Sequence, residues 1–279
     1  MPAGDEQVFI PDRRGSRLER YSFEMAADRR SHRLLLRASP EIAGQFQNIA
    51  RSGPSYRLAG GDLRVTRGWT HCLEAPGLPD IRARDLAGVL CEVLTLPSLL
   101  SVKFAIAMDW YKVPVDGVDP HDWLNTSDGQ RVYVGKYWTS SPKAMAEAGR
   151  ALVLRLLAVI RRHPALASAD VAVAVPGHDG TYVSFGERLG ASVASALGLP
   201  LIKVRTQREF RPPAKDLQGT RNDAMWDDFS VAEDLTGATA LIVDDVFRSG
   251  RTMSAVGSAA IRAGAAQACG LVAVRTMRS

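Results

Sequence analysis

Two adjacent carboxylates, Asp244 and Asp245, are the strongest candidates in this sequence for functional residues. They directly follow the apolar run 240–243 and precede a short loop, 248–252, that contains Ser, Gly and Thr. The residues after the loop, 253–261, are apolar at helical spacing. An apolar run followed by a loop and a helix is typical of a strand buried in a parallel sheet. The pattern therefore predicts a strand, a loop and a helix, with two acids at the end of the strand.

This arrangement suits a ligand that carries both a phosphate and a diol. Gly250 lets the backbone come close to an anion, and the N–H groups and dipole of the following helix favour negative charge. Asp244 and Asp245 can accept hydrogen bonds from neighbouring hydroxyl groups. A ribose 5-phosphate has both features. The alternative is a solvated acid pair at a strand end, followed by an ordinary turn.

The same residues resemble the motif with which type I phosphoribosyltransferases bind 5-phosphoribosyl 1-pyrophosphate (PRPP). The shared order is four apolar residues, two acids, two apolar residues and a Ser/Thr-Gly-x-Thr loop. Enzymes of this family bind PRPP with Mg2+ and pass the ribosyl group to a nitrogen nucleophile, releasing pyrophosphate. The resemblance implies that Asp244 and Asp245 hold the ribose hydroxyls, directly or through Mg2+ and its water shell. It also implies substrate-binding roles for Phe247, Arg248, Ser249, Gly250, Arg251 and Thr252.

Two further loops are candidates for contact with the pyrophosphate. The first follows an apolar run at 171–175, and its candidate residues are Gly177, His178, Asp179 and Gly180. Glycines there leave backbone N–H groups free for an anion, although an ordinary turn is the alternative. The second loop, 205–230, is long, polar and basic, so we interpret it as a lid that brings Lys215 and Arg221 to the leaving group. A surface loop with solvated charges is the alternative.

Strands and helices alternate through the C-terminal half, which predicts an α/β fold with a parallel sheet. The predicted strands lie at 132–134, 171–175, 201–204, 239–243 and 271–274. Helices are predicted from Pro142 to about Arg162, from Phe185 to Leu197 and from Thr252 to about Ala263. A ligand of such a sheet binds beyond the carboxyl ends of its strands, where Gly177 and Asp244 both fall.

The N-terminal part of the chain carries weaker signals. We predict two domains, an N-terminal region at 1–130, which is a less certain α+β fold, and a phosphoribosyltransferase-like domain at 131–279. Asp85 is the predicted cap of a helix that ends before Pro97. The segment 101–108 is a buried strand or a buried helix, and periodicity does not distinguish them. The N-terminal region would supply a hood over the acceptor.

The segment 114–123 is rich in Pro, Gly and Asp, which indicates a loop and a domain boundary. Four of its side chains, those of Asp116, Asp119, His121 and Asp122, could also be read as a metal cluster. A turn-rich surface loop is the favoured interpretation, because turns need acids and Pro.

Within the family, residues 131–279 are most similar to the ComF-like branch. The matching residues include Lys136-Tyr137, the 184–187 segment Ser-Phe-Gly-Glu, and Arg221-Asn222. Two departures are evident. The paired CxxC motifs of that branch's zinc ribbon are absent from this sequence. Arg248 also stands where many family loops have Thr, which argues against a 6-oxopurine acceptor.

Composition and net charge limit the class of protein and the ligands that can be expected. The 279 residues are 46% hydrophobic and 23% charged, with a formal net charge of +5, as in a soluble globular protein. No apolar run reaches membrane-spanning length and the three cysteines are scattered, so we predict a cytoplasmic protein without disulfides. Basic charge suits a phosphorylated substrate or a nucleic acid, and the second is not favoured.

The sequence thus supports a Mg2+-dependent phosphoribosyltransferase that uses PRPP and a small-molecule acceptor. One alternative is a regulatory or DNA-handling protein that binds PRPP or a nucleotide without transferring anything. A third hypothesis is hydrolysis of a ribosyl phosphate or nucleotide in the same pocket. Family members often form homodimers, and the sequence shows no dimer surface.

Overall fold

The protein alternates helices and strands over most of its length. The computed structural model describes residues 16–25, 30–47, 49, 56–58, 68–137, 140–177, 183–206 and 228–277. Its helices in these ranges are α1 (Pro40–Phe46), α2 (Ile81–Glu92), α3 (Ser127–Tyr137), α4 (Pro142–Arg162), α5 (Pro164–Ala167), α6 (Phe185–Leu197) and α7 (Arg251–Arg262). Within the described ranges, no helix is both long and apolar enough to cross a bilayer.

The strands form three sheets. They are β1 (Arg20–Met25), β2 (Ser31–Arg37), β3 (Arg57–Leu58), β4 (His71–Pro76), β5 (Leu94–Thr95), β6 (Ala105–Trp110), β7 (Val171–Ala174), β8 (Leu201–Ile202), β9 (Val204–Thr206), β10 (Phe229–Val231), β11 (Thr239–Phe247) and β12 (Gln267–Arg275). The largest sheet has six strands in the order β5-β6-β12-β11-β7-β8, and only β5 runs antiparallel to its neighbour. This arrangement confirms the predicted α/β fold with a mostly parallel sheet.

β11 lies inside the six-stranded sheet and is buried on both faces. Leu241 and Val243 pack into one apolar cluster, whereas Ala240 and Ile242 pack into a second. Because successive residues of a strand point to opposite faces, the two clusters lie on the two sides of the sheet. Helices α2, α4 and α6 contribute to the first cluster and α7 to the second. The sheet therefore has a helical layer on each face.

A separate antiparallel sheet, in the order β1-β2-β4-β3, precedes the six-stranded one in the chain. Its inward residues, such as Leu34, Leu36 and Leu73, belong to the same buried cluster as α2, α4 and α6. The six-stranded sheet itself includes β5 and β6, which lie before residue 131. The division into two domains, residues 1–130 and 131–279, stays a prediction. The six-stranded sheet nevertheless includes strands from both sides of that boundary.

Residues 132–134 are helical, so the strand predicted there is wrong. They lie in α3, where Val132 is fully buried and Tyr133 is 44% exposed. The missed signal is Thr126, whose hydroxyl accepts a hydrogen bond from Gly129 N at 2.9 Å and so caps the start of the helix. Three residues of high strand propensity do not outweigh a capped helix with one apolar face.

The other N-terminal elements also differ in detail from their predictions. The cap of α2 is Asp80, whose carboxylate accepts from Arg82 N at 3.1 Å, and Asp85 lies inside the helix. The segment 101–108 contributes its second half to β6. Residues 114–123 form a loop as predicted, and no group of three or more metal-binding side chains occurs in the part of the chain that the structure describes.

After α3, local sequence signals predict most elements of the C-terminal half correctly. Ser141 caps α4 through Ala144 N, and α4 ends at Arg162 before Pro164. α6 begins with a capping box formed by Ser184 and Glu187, and it ends at Gly198 in the left-handed conformation. The predicted strands at 171–175, 239–243 and 271–274 correspond to β7, β11 and β12, the last two being longer than expected. The predicted strand 201–204 is divided between β8 and β9.

A buried polar chain joins α1, β5 and the end of α4. The Nε2 atom of His163 lies 2.9 Å from Gln45 Oε1, and Gln45 Nε2 donates to Thr95 Oγ1 at 2.9 Å. Because an amide oxygen only accepts, the imidazole proton is on Nε2. The ring stacks on Phe104 with 4.7 Å between centroids. Burial lowers the pKa of His163 to about 3, so the folded protein holds this side chain neutral.

The neutral state of His163 predicts a stability loss in mild acid. Unfolded chains bind this proton near pH 6.5, whereas the folded protein does so only near pH 3. The contribution of His163 is therefore present above pH 6.5 and is lost as the pH falls toward 3. Urea unfolding should show that the free energy of unfolding falls by about 2 kcal/mol more between pH 7.5 and pH 5 in wild type than in His163→Gln. Equal pH dependence of the two proteins would contradict this account.

Candidate functional site

The acid pair lies in β11 itself, because this strand continues past the predicted end to Phe247. β7 pairs with β11 only as far as Val243, so the two acids extend beyond the end of β7. Asp244 Oδ1 accepts a hydrogen bond from Asp245 N at 2.8 Å. The site is therefore at the carboxyl ends of the parallel strands, as predicted for a ligand of this fold.

Helix α3 brings a lysine to this pair. Lys136 Nζ lies 2.9 Å from Asp245 Oδ2, across 109 residues of sequence. The side chain of Asp245 is only 9% exposed, and that of Lys136 is 35% exposed. Sequence analysis noted Lys136 only as part of a resemblance and missed this contact. Sequence spacing holds no signal for an ion pair that depends on how two elements pack.

The pKa values of Asp244 and Lys136 are both shifted at this site. Burial, and then the negative charge of Asp245, raise the pKa of Asp244 well above its usual range. Lys136 shows the opposing effects of burial and attraction. Burial lowers its pKa, but Asp245 and other negative groups outweigh this, so the pKa is raised overall and the ammonium stays charged. The site therefore holds a stable cation next to Asp245.

Helix α6 approaches Asp244 through a glycine. A Cβ atom on Gly186 would lie 2.9 Å from Asp244 Oδ1 and 3.6 Å from Asp245 N. No other residue type could take this place without moving the acid pair or α6. Sequence analysis quoted Gly186 within a matching segment but did not recognise this close approach, for which a glycine in the first turn of a helix is the available signal.

The predicted phosphate loop has the expected shape. Gly250 has a positive φ of 74° and forms the cap of α7, where it offers no side-chain acceptor to the first-turn N–H groups. A phosphate oxygen suits this position because of the N–H groups and the helix dipole. Ser249, Arg251 and Thr252 are all partly exposed around it. The structure thus places the residues predicted to bind the 5-phosphate around one helix start, and their ligand contacts stay a prediction.

Phe247 and Arg248 occupy opposite environments. Phe247 is 4% exposed, and its ring contacts Gly250 and lies 4.9 Å below the guanidinium of Arg275. The buried ring of Phe247 therefore packs under the loop on its protein side. Arg248, in contrast, is exposed. The substrate contacts predicted for both residues stay predictions.

In the predicted pyrophosphate loop after β7, a carboxylate holds the first residues in place. Glu187 Oε2 accepts from Gly177 N at 3.3 Å and from Ser184 N at 2.7 Å. The N–H group that was predicted to meet pyrophosphate is therefore bonded within the protein. Glu187 is a residue that sequence analysis missed, although Ser-x-x-Glu at a helix start signals the capping box.

Several predicted site residues lie outside the described part of the chain. These are His178, Asp179 and Gly180 in the loop after β7, and Lys215 and Arg221 in the predicted lid 205–230. Their proposed contacts with pyrophosphate stay predictions.

Tyrosine side chains lie near Lys136. Its Nζ atom lies 5.8 Å from the ring centroid of Tyr137, and the rings of Tyr137 and Tyr133 are 5.8 Å apart. Tyr111 follows β6, and its pKa is raised, chiefly by burial. The charges of Lys136 and Asp245 both influence this pKa as well. One side of the acid pair is thus lined by residues from the segment 111–137.

Comparison with known proteins gives one family match. Residues 184–277 match the family model described as the phosphoribosyl transferase domain. A search of curated proteins finds no match. Among solved structures, the chain is similar to purine phosphoribosyltransferase from Pyrococcus horikoshii Ot3, at 16% identity over 51% of this chain and 85% of that one, with a TM-score of 0.31. It is also similar to adenine phosphoribosyltransferase from Leishmania tarentolae, at 16% identity over 59% and 66% of the two chains, with a TM-score of 0.36.

The contact between Gly186 and Asp244 predicts an unusual effect of alanine. In a helix, Gly→Ala normally stabilises a protein by about 0.5–1 kcal/mol. For Gly186→Ala we expect the opposite, a loss of about 1–3 kcal/mol, because the new methyl group collides with the carboxylate. Gly149→Ala in α4 is the matched control, since its Cβ would meet only Phe185 at 4.0 Å. Denaturant unfolding measures both, and stabilisation by Gly186→Ala would show that the approach is looser.

Proposed function

We infer that this protein, whose residues 184–277 match the family model of the phosphoribosyl transferase domain, is a Mg2+-dependent phosphoribosyltransferase. In this proposal it takes PRPP as the donor and a nucleobase or other nitrogen compound as the acceptor. The C1–O bond to pyrophosphate breaks, a C1–N bond forms, and the acceptor nitrogen loses a proton. We further propose that the protein acts in the cytoplasm.

A single observation carries the proposal. One strand, β11, presents two carboxylates at its end and leads directly into the glycine-capped start of α7. Hydrogen-bond acceptors that suit a diol therefore lie beside N–H donors that suit a phosphate. A ribose 5-phosphate carries both of these groups. The domain match covers this segment, so the geometry and the comparison point to the same ligand.

The roles of the residues follow from the charge that develops in the reaction. As the C1–O bond breaks, positive charge grows on the ribose and negative charge on the leaving pyrophosphate. Asp244 and Asp245 would accept hydrogen bonds from the ribose hydroxyls and so fix the sugar in place. Ser249–Thr252 would hold the 5-phosphate, which anchors the far end of the donor. No side-chain nucleophile is required, and positioning and charge stabilisation are the protein's contributions.

The donor set at the acid pair fits Mg2+. This ion prefers oxygen ligands and is usually held by one or two carboxylates together with substrate phosphates and waters. Asp244 and Asp245 supply two carboxylates, and the described part of the chain has no cluster of three or more metal-binding side chains. When bound, Mg2+ would neutralise the phosphate oxygens of the donor. The protein would then orient that complex through its two carboxylates.

Removing both carboxylates should abolish the proposed activity. For Asp244→Asn/Asp245→Asn we expect the rate of pyrophosphate release to fall by at least about 10²–10³-fold, because the hydroxyl and metal contacts are lost together. Isothermal titration of PRPP, with and without Mg2+, should show binding by wild type that this double variant loses. Pyrophosphate release across a panel of nucleobases then reports turnover.

A matched control removes two adjacent acids elsewhere. Glu233 and Asp234 are both exposed and precede β11 at the opposite edge of the sheet. The variant Glu233→Gln/Asp234→Asn should therefore bind PRPP like wild type. Full turnover by Asp244→Asn/Asp245→Asn would overturn the assignment. PRPP binding by wild type without pyrophosphate release from any acceptor would favour the alternative, a regulatory or DNA-handling protein that binds PRPP or a nucleotide.

A further inference from the structure

Lys136 is the charged group that the proposed chemistry leaves without a role. Its ammonium contacts Asp245 at 2.9 Å, and within the described part of the chain it is the only cationic side chain paired with either carboxylate of the acid pair. The carboxylate partner is almost fully buried. An ion pair in such a place is poorly screened by solvent, unlike the surface pairs that contribute little to stability.

The helix that carries Lys136 is anchored at several points. Asp128, near the start of α3, is 1% exposed and forms ion pairs of 2.8 Å with Arg131 and with Arg155 of α4. Near the other end of α3, Gly135 packs against the ring of Phe185, where a Cβ would have no room. The position of Lys136 is thus set by buried contacts at both ends of α3.

A cation beside the acid pair stabilises its negative charge whether or not a ligand is bound. Two adjacent carboxylates in a partly buried site repel each other, and removal from water disfavours the charge on each. Asp244 receives a backbone hydrogen bond from Asp245 N, but that donor carries no net charge. Lys136 supplies the one unit of positive charge in direct contact with the pair. A divalent ion would compete for the same carboxylate oxygen.

We propose that Lys136 is an internal counter-cation, which occupies Asp245 in the free protein and keeps divalent ions out of the acid pair until PRPP brings them. The second half of this statement rests on the proposed function, and the first half does not. Lys136 is a positioning residue here, since it acts through Asp245. Removing its charge should expose a divalent-ion site on Asp244 and Asp245 even in the absence of PRPP.

Binding of Mn2+ alone tests the proposal, since this ion prefers the same oxygen ligands as Mg2+ and is detected by electron paramagnetic resonance. At pH 8, we expect Lys136→Met to bind Mn2+ at least about tenfold more tightly than wild type, because a direct cation–carboxylate contact has been removed. Lys136→Arg, which keeps the charge, should resemble wild type. The gain should disappear in Lys136→Met/Asp244→Asn/Asp245→Asn, which lacks the carboxylates.

Lys103→Met is the matched control, because it removes the same charge at the opposite edge of the sheet, where Lys103 Nζ donates to Gln267 Oε1. It should bind Mn2+ like wild type. Lys136→Gln repeats the test without the charge should the Met variant fail to fold. A folded Lys136→Met or Lys136→Gln protein with unchanged Mn2+ affinity would overturn the proposal, as would a gain that persists in the triple variant.

Titration of PRPP separates this proposal from the proposed function. If wild type binds PRPP only with Mg2+ and Lys136→Met binds Mn2+ alone, both are supported. If wild type does not bind PRPP, the proposed function fails, while the Mn2+ result still decides whether Lys136 excludes divalent ions. If PRPP binds but Mn2+ affinity does not change, only the role of Lys136 is wrong.

Discussion

The structure depends on the placement of two adjacent carboxylates at the end of an interior strand. β11 carries Asp244 and Asp245 out of an apolar core that is buried on both faces, so neither acid is fully solvated. Each therefore has a specific partner: Asp244 accepts the Asp245 N–H group, and Asp245 pairs with Lys136. These partnerships restrict the neighbouring elements. α3 carries the lysine that pairs with Asp245, and the second residue of α6 is the glycine beside Asp244.

Sequence patterns predicted those parts of the fold that local interactions determine. The buried strands β7, β11 and β12 and the helices α4, α6 and α7 follow from apolar periodicity and from caps such as Ser141. The phosphate loop at Gly250 was found for the same reason, because strand, acids and loop are contiguous. Its positive φ is the conformation for which glycine is favoured.

Features that depend on packing between distant segments were not predictable. Residues 132–134 have strand propensity and so predict a strand, but they lie in α3, whose start is capped by Thr126. The contact of Lys136 with Asp245 spans 109 residues and leaves no trace in local spacing. The apolar segment 101–108, which contributes to β6, suits a helix or a strand equally well, so the sequence does not assign it to the sheet. β5 lies where the sequence predicts a helix that ends before Pro97, whereas α2 ends at Glu92.

The segment between β6 and α4 links the two parts of the chain at the site. β6 pairs with β12 in the sheet, and the chain then passes through Tyr111 into α3, which contacts Asp245. This segment, and not the four-stranded antiparallel sheet, supplies the described side chains next to the acid pair. A role for the N-terminal sheet as a hood over an acceptor therefore stays a prediction.

Two polar groups of the site are already bonded within the protein. Asp245 is bonded to Lys136, and Gly177 N is bonded to Glu187, so a ligand must exchange these contacts for its own. A ligand that replaces such a contact forms one bond as another is lost, so the net gain in free energy is small. Contacts at the glycine-capped start of α7 differ, because Gly250 has no side chain that could occupy the place of an anion. Under the proposed function, a phosphate at the start of α7 would displace no capping side chain, whereas hydroxyl groups at the acid pair would have to replace the contact with Lys136.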